Sequence, residues 1–170
     1  MTLGSVSVAN KTYDATRTAT YTLNSDQVAG DVLTLTAGTA LFDTKNAGTG
    51  KTVTVGGISV SGADAGNYTL QNLSTTTSAD IHQANLTITG ITANNKIYDG
   101  STTATLTGTA AISALQGDTV SLSGTAAPTF ASKAIGTAKS VTTSGYTLTG
   151  ADAGNYNLIT PTLTADITPK

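Results

Sequence analysis

The loop Gly62-Ala63-Asp64-Ala65-Gly66-Asn67-Tyr68 returns unchanged as Gly150 to Tyr156, and it is where this chain comes nearest to a chemical site. Asp64 and Asn67, with their equivalents Asp152 and Asn155, place oxygen donors on a glycine-bearing loop, as a calcium site requires. Such a site normally draws on several carboxylates, whereas each loop supplies one. The favoured expectation is therefore structural. Asp64 and Asn67 bond their own backbone in Asx turns that allow a bend at Gly66, and Gly154 bends the second loop in the same way. Tyr68 and Tyr156 then pack at the start of the next strand. Tyr13-Asp14 and Tyr98-Asp99 read similarly, as turns between strands.

Other constellations are thinner. Lys11 and Lys96, with the loop asparagines and aspartates, supply the residue types for a Lys–Asn amide cross-link, but no spacing rule brings them together. His82 is the only histidine and falls outside every repeated motif; Glu and Cys are absent. With no nucleophile beside a base, the expectation is no catalysis and no cofactor. Thr-x-Thr steps such as Thr34-Leu35-Thr36, Thr87-Ile88-Thr89 and Thr162-Leu163-Thr164 suggest a hydroxyl array of the ice-binding kind. Their uneven spacing fits an ordinary strand surface better. Of the six tyrosines, Tyr21 and Tyr146 have no partner in the other copy, which makes them the candidates for surface contacts.

Composition sets the elements that must carry these residues. The 170 residues are 38% hydrophobic and only 11% charged, with Thr the commonest type. That excludes ordinary disorder, and Thr with Gly, Asn and Asp points to strands and turns. A net charge of −2 and pI near 5.0 leave no basic patch for nucleic acid. No apolar run approaches the roughly 20 residues needed to cross a bilayer, so membrane insertion is not expected. Met1-Thr2-Leu3-Gly4 lacks a signal pattern, so an export signal would lie outside this sequence.

Self-comparison gives the organisation. Lys11-Thr12-Tyr13-Asp14 recurs as Lys96-Ile97-Tyr98-Asp99, a shift of 85. Phe42, Lys45, Gly48, Thr49 and Lys51 recur as Phe130, Lys133, Gly136, Thr137 and Lys139, a shift of 88. Ala79-Asp80-Ile81 matches Ala165-Asp166-Ile167. The expectation is two tandem all-β domains, 1–83 and 84–170. Period-two runs such as Val53-Thr54-Val55 and Leu86-Thr87-Ile88 supply the strands. Residues 24–30 and 113–117 carry N-cap types before a glycine, so each repeat is expected to hold one short helix, with Val28 or Leu115 facing the core. The junction lacks Gly and Pro, which predicts a semi-rigid, end-to-end pair.

Lys96-Ile97-Tyr98-Asp99-Gly100, then Gly150 to Tyr156, then Thr164 to Pro169, resemble the YDG and mostly-β-grasp (MBG) repeats of large secreted bacterial exoproteins. These include filamentous-haemagglutinin-like adhesins of two-partner secretion systems. The first copy departs from the pattern at Ala15, which suggests that the turn does not require Gly, and its tail lacks Thr-Pro. The resemblance implies β-grasp-like or sandwich domains that serve as a stalk or spacer on the bacterial cell surface, monomeric as an isolated fragment, whose partners are neighbouring repeats of the same chain. A host or biofilm glycan or protein ligand is the alternative it leaves open. It implies no catalytic residues.

Overall fold

Alternation of hydroxyl and apolar residues makes strands here because a period of two sorts side chains onto opposite faces. The computed structural model describes residue 1 and residues 3–170. Thr2, part of the stretch read above as lacking a signal pattern, lies outside them. Contacts divide the chain into two units, Met1–Gln83 and Ala84–Lys170.

The first unit runs β1 (Leu3–Val8), β2 (Lys11–Thr12), β3 (Tyr21–Ser25), β4 (Thr34–Thr36), β5 (Thr39–Phe42), β6 (Gly48–Gly56), β7 (Ser59–Ser61) and β8 (Ser74–His82). The second runs β9 (Ala84–Thr87), β10 (Thr89–Ala93), β11 (Lys96–Ile97), β12 (Leu106–Ala111), β13 (Ser121–Phe130), β14 (Gly136–Thr149), β15 (Tyr156–Ile159) and β16 (Leu163–Thr168). Each unit is built on a four-stranded sheet, ordered β2-β8-β6-β5 in the first and β11-β16-β14-β13 in the second. The last strand of each unit sits inside its sheet, parallel to β2 or β11 and antiparallel to β6 or β14. Antiparallel pairs β1–β3 and β10–β12 complete the common plan, and the architecture is all-β.

The second copy keeps β13 and β14 continuous where the first breaks into β4, β5, β6 and β7. The long antiparallel pair shifts register in a bulge at Gly124 and Gly145, with φ of 87° and 91°. A Cβ on either would come within 2.0 Å of a carbonyl oxygen on the facing strand, so only glycine permits the close approach there. In the first copy Tyr21 spans the break instead. Its hydroxyl donates to Ala37 O at 3.2 Å and accepts from Ala37 N–H at 3.0 Å.

The short helices expected over 24–30 and 113–117 do not form. Each segment is a β-turn: Asp31 N–H donates to Val28 O at 3.2 Å, and Asp118 N–H donates to Leu115 O at 3.1 Å. Gly30 and Gly117 take positive φ at the third position, as a type II turn demands. Val28 and Leu115 are 64% and 40% exposed, so neither faces the core. Ser, Asn, Asp and Gly serve caps and turns equally, and segments this short cannot offset the cost of helix nucleation. The helical residues among those described are single 3-10 turns, Ala65–Asn67 and Ala153–Asn155.

Phe42, Val53, Val55 and Ile81 form the centre of the first core, each at most 2% exposed. Phe130, Val141, Ala165, Ile167 and Ala104 form the second, with Tyr98 and Leu163 packed against them. Phe42, Val53, Ala79 and Ile81 have buried counterparts in Phe130, Val141, Ala165 and Ile167. Where the first unit buries Val55, the second buries Thr143, whose Oγ1 has no hydrogen-bond partner. An unsatisfied buried hydroxyl costs about 1–3 kcal/mol. Thr143→Val is therefore expected to stabilise the protein by about 1 kcal/mol in urea unfolding. Val55→Thr should destabilise it, and an unstable Thr143→Val variant would contradict this account.

Candidate functional site

Two motif-built clusters recur in each unit. The first is a corner that follows β2 or β11. Lys11 Nζ donates to Asp14 Oδ1 at 2.8 Å, Thr16 O at 3.0 Å and Thr18 O at 2.9 Å. Lys96 repeats this with Asp99 Oδ1 at 2.8 Å, Ser101 O at 2.9 Å and Thr103 O at 3.0 Å. Each ammonium also lies over a core ring, 5.4 Å from the centre of Phe42 and 5.5 Å from that of Phe130. The same aspartate oxygens accept from the backbone and hydroxyl of Thr16 or Ser101. Tyr13 is buried and Tyr98 half-buried, and their N–H groups donate to His82 O and Thr168 O on the last strands, both at 2.8 Å.

The residue after each aspartate is left-handed, with Gly100 at φ 80° and Ala15 at φ 63°. The turn thus keeps a glycine conformation even where the sequence has Ala. The reverse exchange occurs at the bulge entering β6 and β14, where Gly50 (φ 57°) corresponds to Ala138 (φ 47°). There the N–H of Gly50 or Ala138 donates to Asp80 or Asp166, each at 2.7 Å. Asp80 N–H and Asp166 N–H in turn donate to Asn10 and Asn95.

The second cluster is the Gly-Ala-Asp-Ala-Gly-Asn-Tyr loop. Asp64 does not close an Asx turn on its own backbone; its carboxylate accepts from Val32 N–H at 2.7 Å. Asp152 takes Thr119 N–H at 2.9 Å. The tyrosine hydroxyls fasten the turn found where helices were expected. Tyr156 accepts from Leu115 N–H at 2.9 Å and donates to Asp118 at 2.7 Å. Tyr68 does the same with Val28 and Asp31. Gly66 and Gly154 are not the constrained glycines, since a Cβ there meets open space. Gly62 and Gly150 are: a Cβ would lie 2.4 Å and 2.3 Å from the carbonyls of Val32 and Thr119. The close approach to the facing carbonyl thus constrains the first glycine of the motif and leaves the second, where the bend was expected, free of contact.

Asn67 is exposed, whereas Asn155 is buried. Among the described residues no three His, Cys, Asp or Glu side chains gather to hold a metal ion. Nor do the cross-link residues assemble, since Lys11 and Lys96 face their own corners while Asp64 and Asp152 face Val32 and Thr119. Burial works against ionisation of Asp14, yet the bonds from Lys11 and Thr16 outweigh it and hold the carboxyl below its ordinary value. Asp99, bonded by Lys96 and then by Ser101, is brought down to about 2. The hydrogen bond to Asp31 is the main cause raising Tyr68.

These features define a class: an all-β module used twice, each copy closed by a lysine-centred corner and an aspartate–tyrosine clasp. The family model of the YDG domain matches residues 1–78 and again 82–165, and the chain belongs to that family in two tandem copies. No curated protein and no solved structure matches it. Among the described residues no helix is long and apolar enough to cross a membrane.

Two outcomes follow from the corner and the bulge. Ala15→Gly and Ala138→Gly should each stabilise by about 0.5–1 kcal/mol in chemical denaturation, because left-handed backbone is costly for a residue with a Cβ. Gly100→Ala should do the opposite. Asp99 has a folded value of about 2 against an ordinary 3.8, so its contribution is present above pH 3.8 and is lost as pH falls toward 2. In acid titration Asp99→Asn should lose less stability than the parent over that window; an identical loss would refute the assignment.

Proposed function

We propose that the chain is a load-bearing spacer, a pair of stalk repeats from a secreted bacterial surface adhesin that carries a distal adhesive region away from the cell. It performs no catalysis. The observation that supports this most is the position of each unit's last strand. β8 is zipped along β6 from Gly48↔Ile81 to Gly56↔Ser74 and lies parallel to β2, and β16 holds the same place between β14 and β11. Tension drawn along such a strand loads its flanking ladders lengthwise, so bonds share the load instead of opening singly. One residue, Gln83, separates β8 from β9. A cysteine-free, weakly charged sequence also folds without redox help and leaves salt little to screen.

A small-ligand reading has one feature in its favour, a cleft of about 270 Å³ lined by Leu23, Asn24, Ser25, Gln27, Leu33 and Leu35. Its polar side chains bond within the unit, Asn24 to Ser5, Ser25 to Gln27 and Gln27 to Asp31, so the spacer reading stands ahead. Single-molecule pulling on the tandem chain tests it. Two separate force peaks are expected, each releasing roughly 250–300 Å of chain at 3.3–3.6 Å per residue. Extension without distinct peaks would overturn the mechanical role.

A further inference from the structure

The two units differ at one sheet edge. In the second, β15 holds β9 in parallel over four pairs, Tyr156↔Ala84, Asn157↔Asn85, Leu158↔Leu86 and Ile159↔Thr87. Leu86 and Ile88 of that segment are buried at 4% and 1% exposure. The equivalent backbone in the first unit is Tyr68–Gln71, 88 residues earlier. There the partner is Met1, whose amino group donates to Thr69 O at 3.0 Å and whose carbonyl accepts from Gln71 N–H at 3.1 Å. These bonds flank Leu70, so Met1 stands where Leu86 stands opposite Leu158. Around this edge the first unit is apolar and open: Val28, Val32 and Leu73 are 64%, 61% and 65% exposed. Val28 and Val32 are tied to it through Tyr68 and Asp64, and Leu73 follows it in the chain. In the second unit, where β9 fills the edge, Thr119 and Pro161 stand in place of Val32 and Leu73.

We propose that the Tyr68–Gln71 edge is a strand-acceptor site that takes, in parallel register, an extended segment entering ahead of Met1. The occupant has the chemistry of Gln83-Ala84-Asn85, a small apolar residue between amides, because that is the sequence leading into Leu86. A backbone edge is a template for such pairing, and delivery from the same chain supplies it at high effective concentration. The segment that ends one repeat would thereby begin the sheet of the next, as β8, Gln83 and β9 are consecutive here. This inference is independent of the load-bearing role, since it concerns only how each unit is completed.

The test uses the full chain with Gln-Ala-Asn fused ahead of Met1, compared with a Gly-Pro-Gly fusion that cannot continue a ladder. Amide hydrogen exchange is read at residues 68–71, with β15 as the internal reference. The Gln-Ala-Asn fusion should slow exchange at 68–71 by about tenfold or more and leave β15 unchanged. Equal exchange in the two fusions, whether slowed or not, would overturn the acceptor site.

Discussion

An ammonium group beside a phenyl ring, ringed by carbonyls, holds each unit's sheet in register. Lys11 is one of only eight basic residues in the chain, and its side chain is 17% exposed. Its stem crosses the core edge while the charge rests over Phe42, an arrangement worth about 0.5–1 kcal/mol at exposed sites and more as water is removed. The carbonyls of Thr16 and Thr18 turn inward to meet it, and those bonds fix the path of the chain between them. On that path Arg17 O accepts from Phe42 N–H, and Ala19 N–H donates to Ala40 O, which seats β5 against the corner. The ion pair with Asp14 is the lesser part, because a half-exposed carboxylate gains little from a single contact. Its larger service is to accept from Thr16 as well, so that the turn and the lysine are held by one oxygen.

The duplicated plan was legible because repetition needs no physics to detect, and the strands were legible because period two is a strong pattern. What sequence patterns do not show are ties that act across distance. Tyr156 packs at the start of β15, but nothing local reveals that its hydroxyl and that of Tyr68 also fasten turns some forty positions away in sequence. No local pattern marks such a tie. The helix assignment failed for a related reason. Cap residues before a glycine describe the beginning and end of a helix, and with nothing apolar and periodic between them they describe a turn.

Comparing the copies separates what the fold requires from what it tolerates. Both left-handed positions persist although each copy places Ala at a different one, so backbone shape is retained while the residue best suited to it is not. The ties that accept at those positions, Asp14 and Asp99 after the lysines and Asp80 and Asp166 on the last strands, are kept in both. Constraint therefore rests on the acceptor that fixes the turn more than on the turn residue. The core obeys the opposite economy: Val55 against Thr143 alters chemistry while volume is nearly conserved, and packing survives at the cost of a stranded hydroxyl.

Without disulfides, a small β unit must close long loops by other means. Asp64 to Val32 spans 32 residues, Asp80 to Gly50 spans 30, and Asn10 to Asp80 spans 70. Each is a single hydrogen bond to a carboxylate or amide, worth about 1–3 kcal/mol at most and often less when exposed. None equals a covalent staple, whose typical contribution is about 2–4 kcal/mol. A set of them has a property the staple lacks, because every bond re-forms unaided once strain is relieved. A unit that unfolds recovers these ties by refolding alone, and a sequence with no cysteine has nothing to mispair.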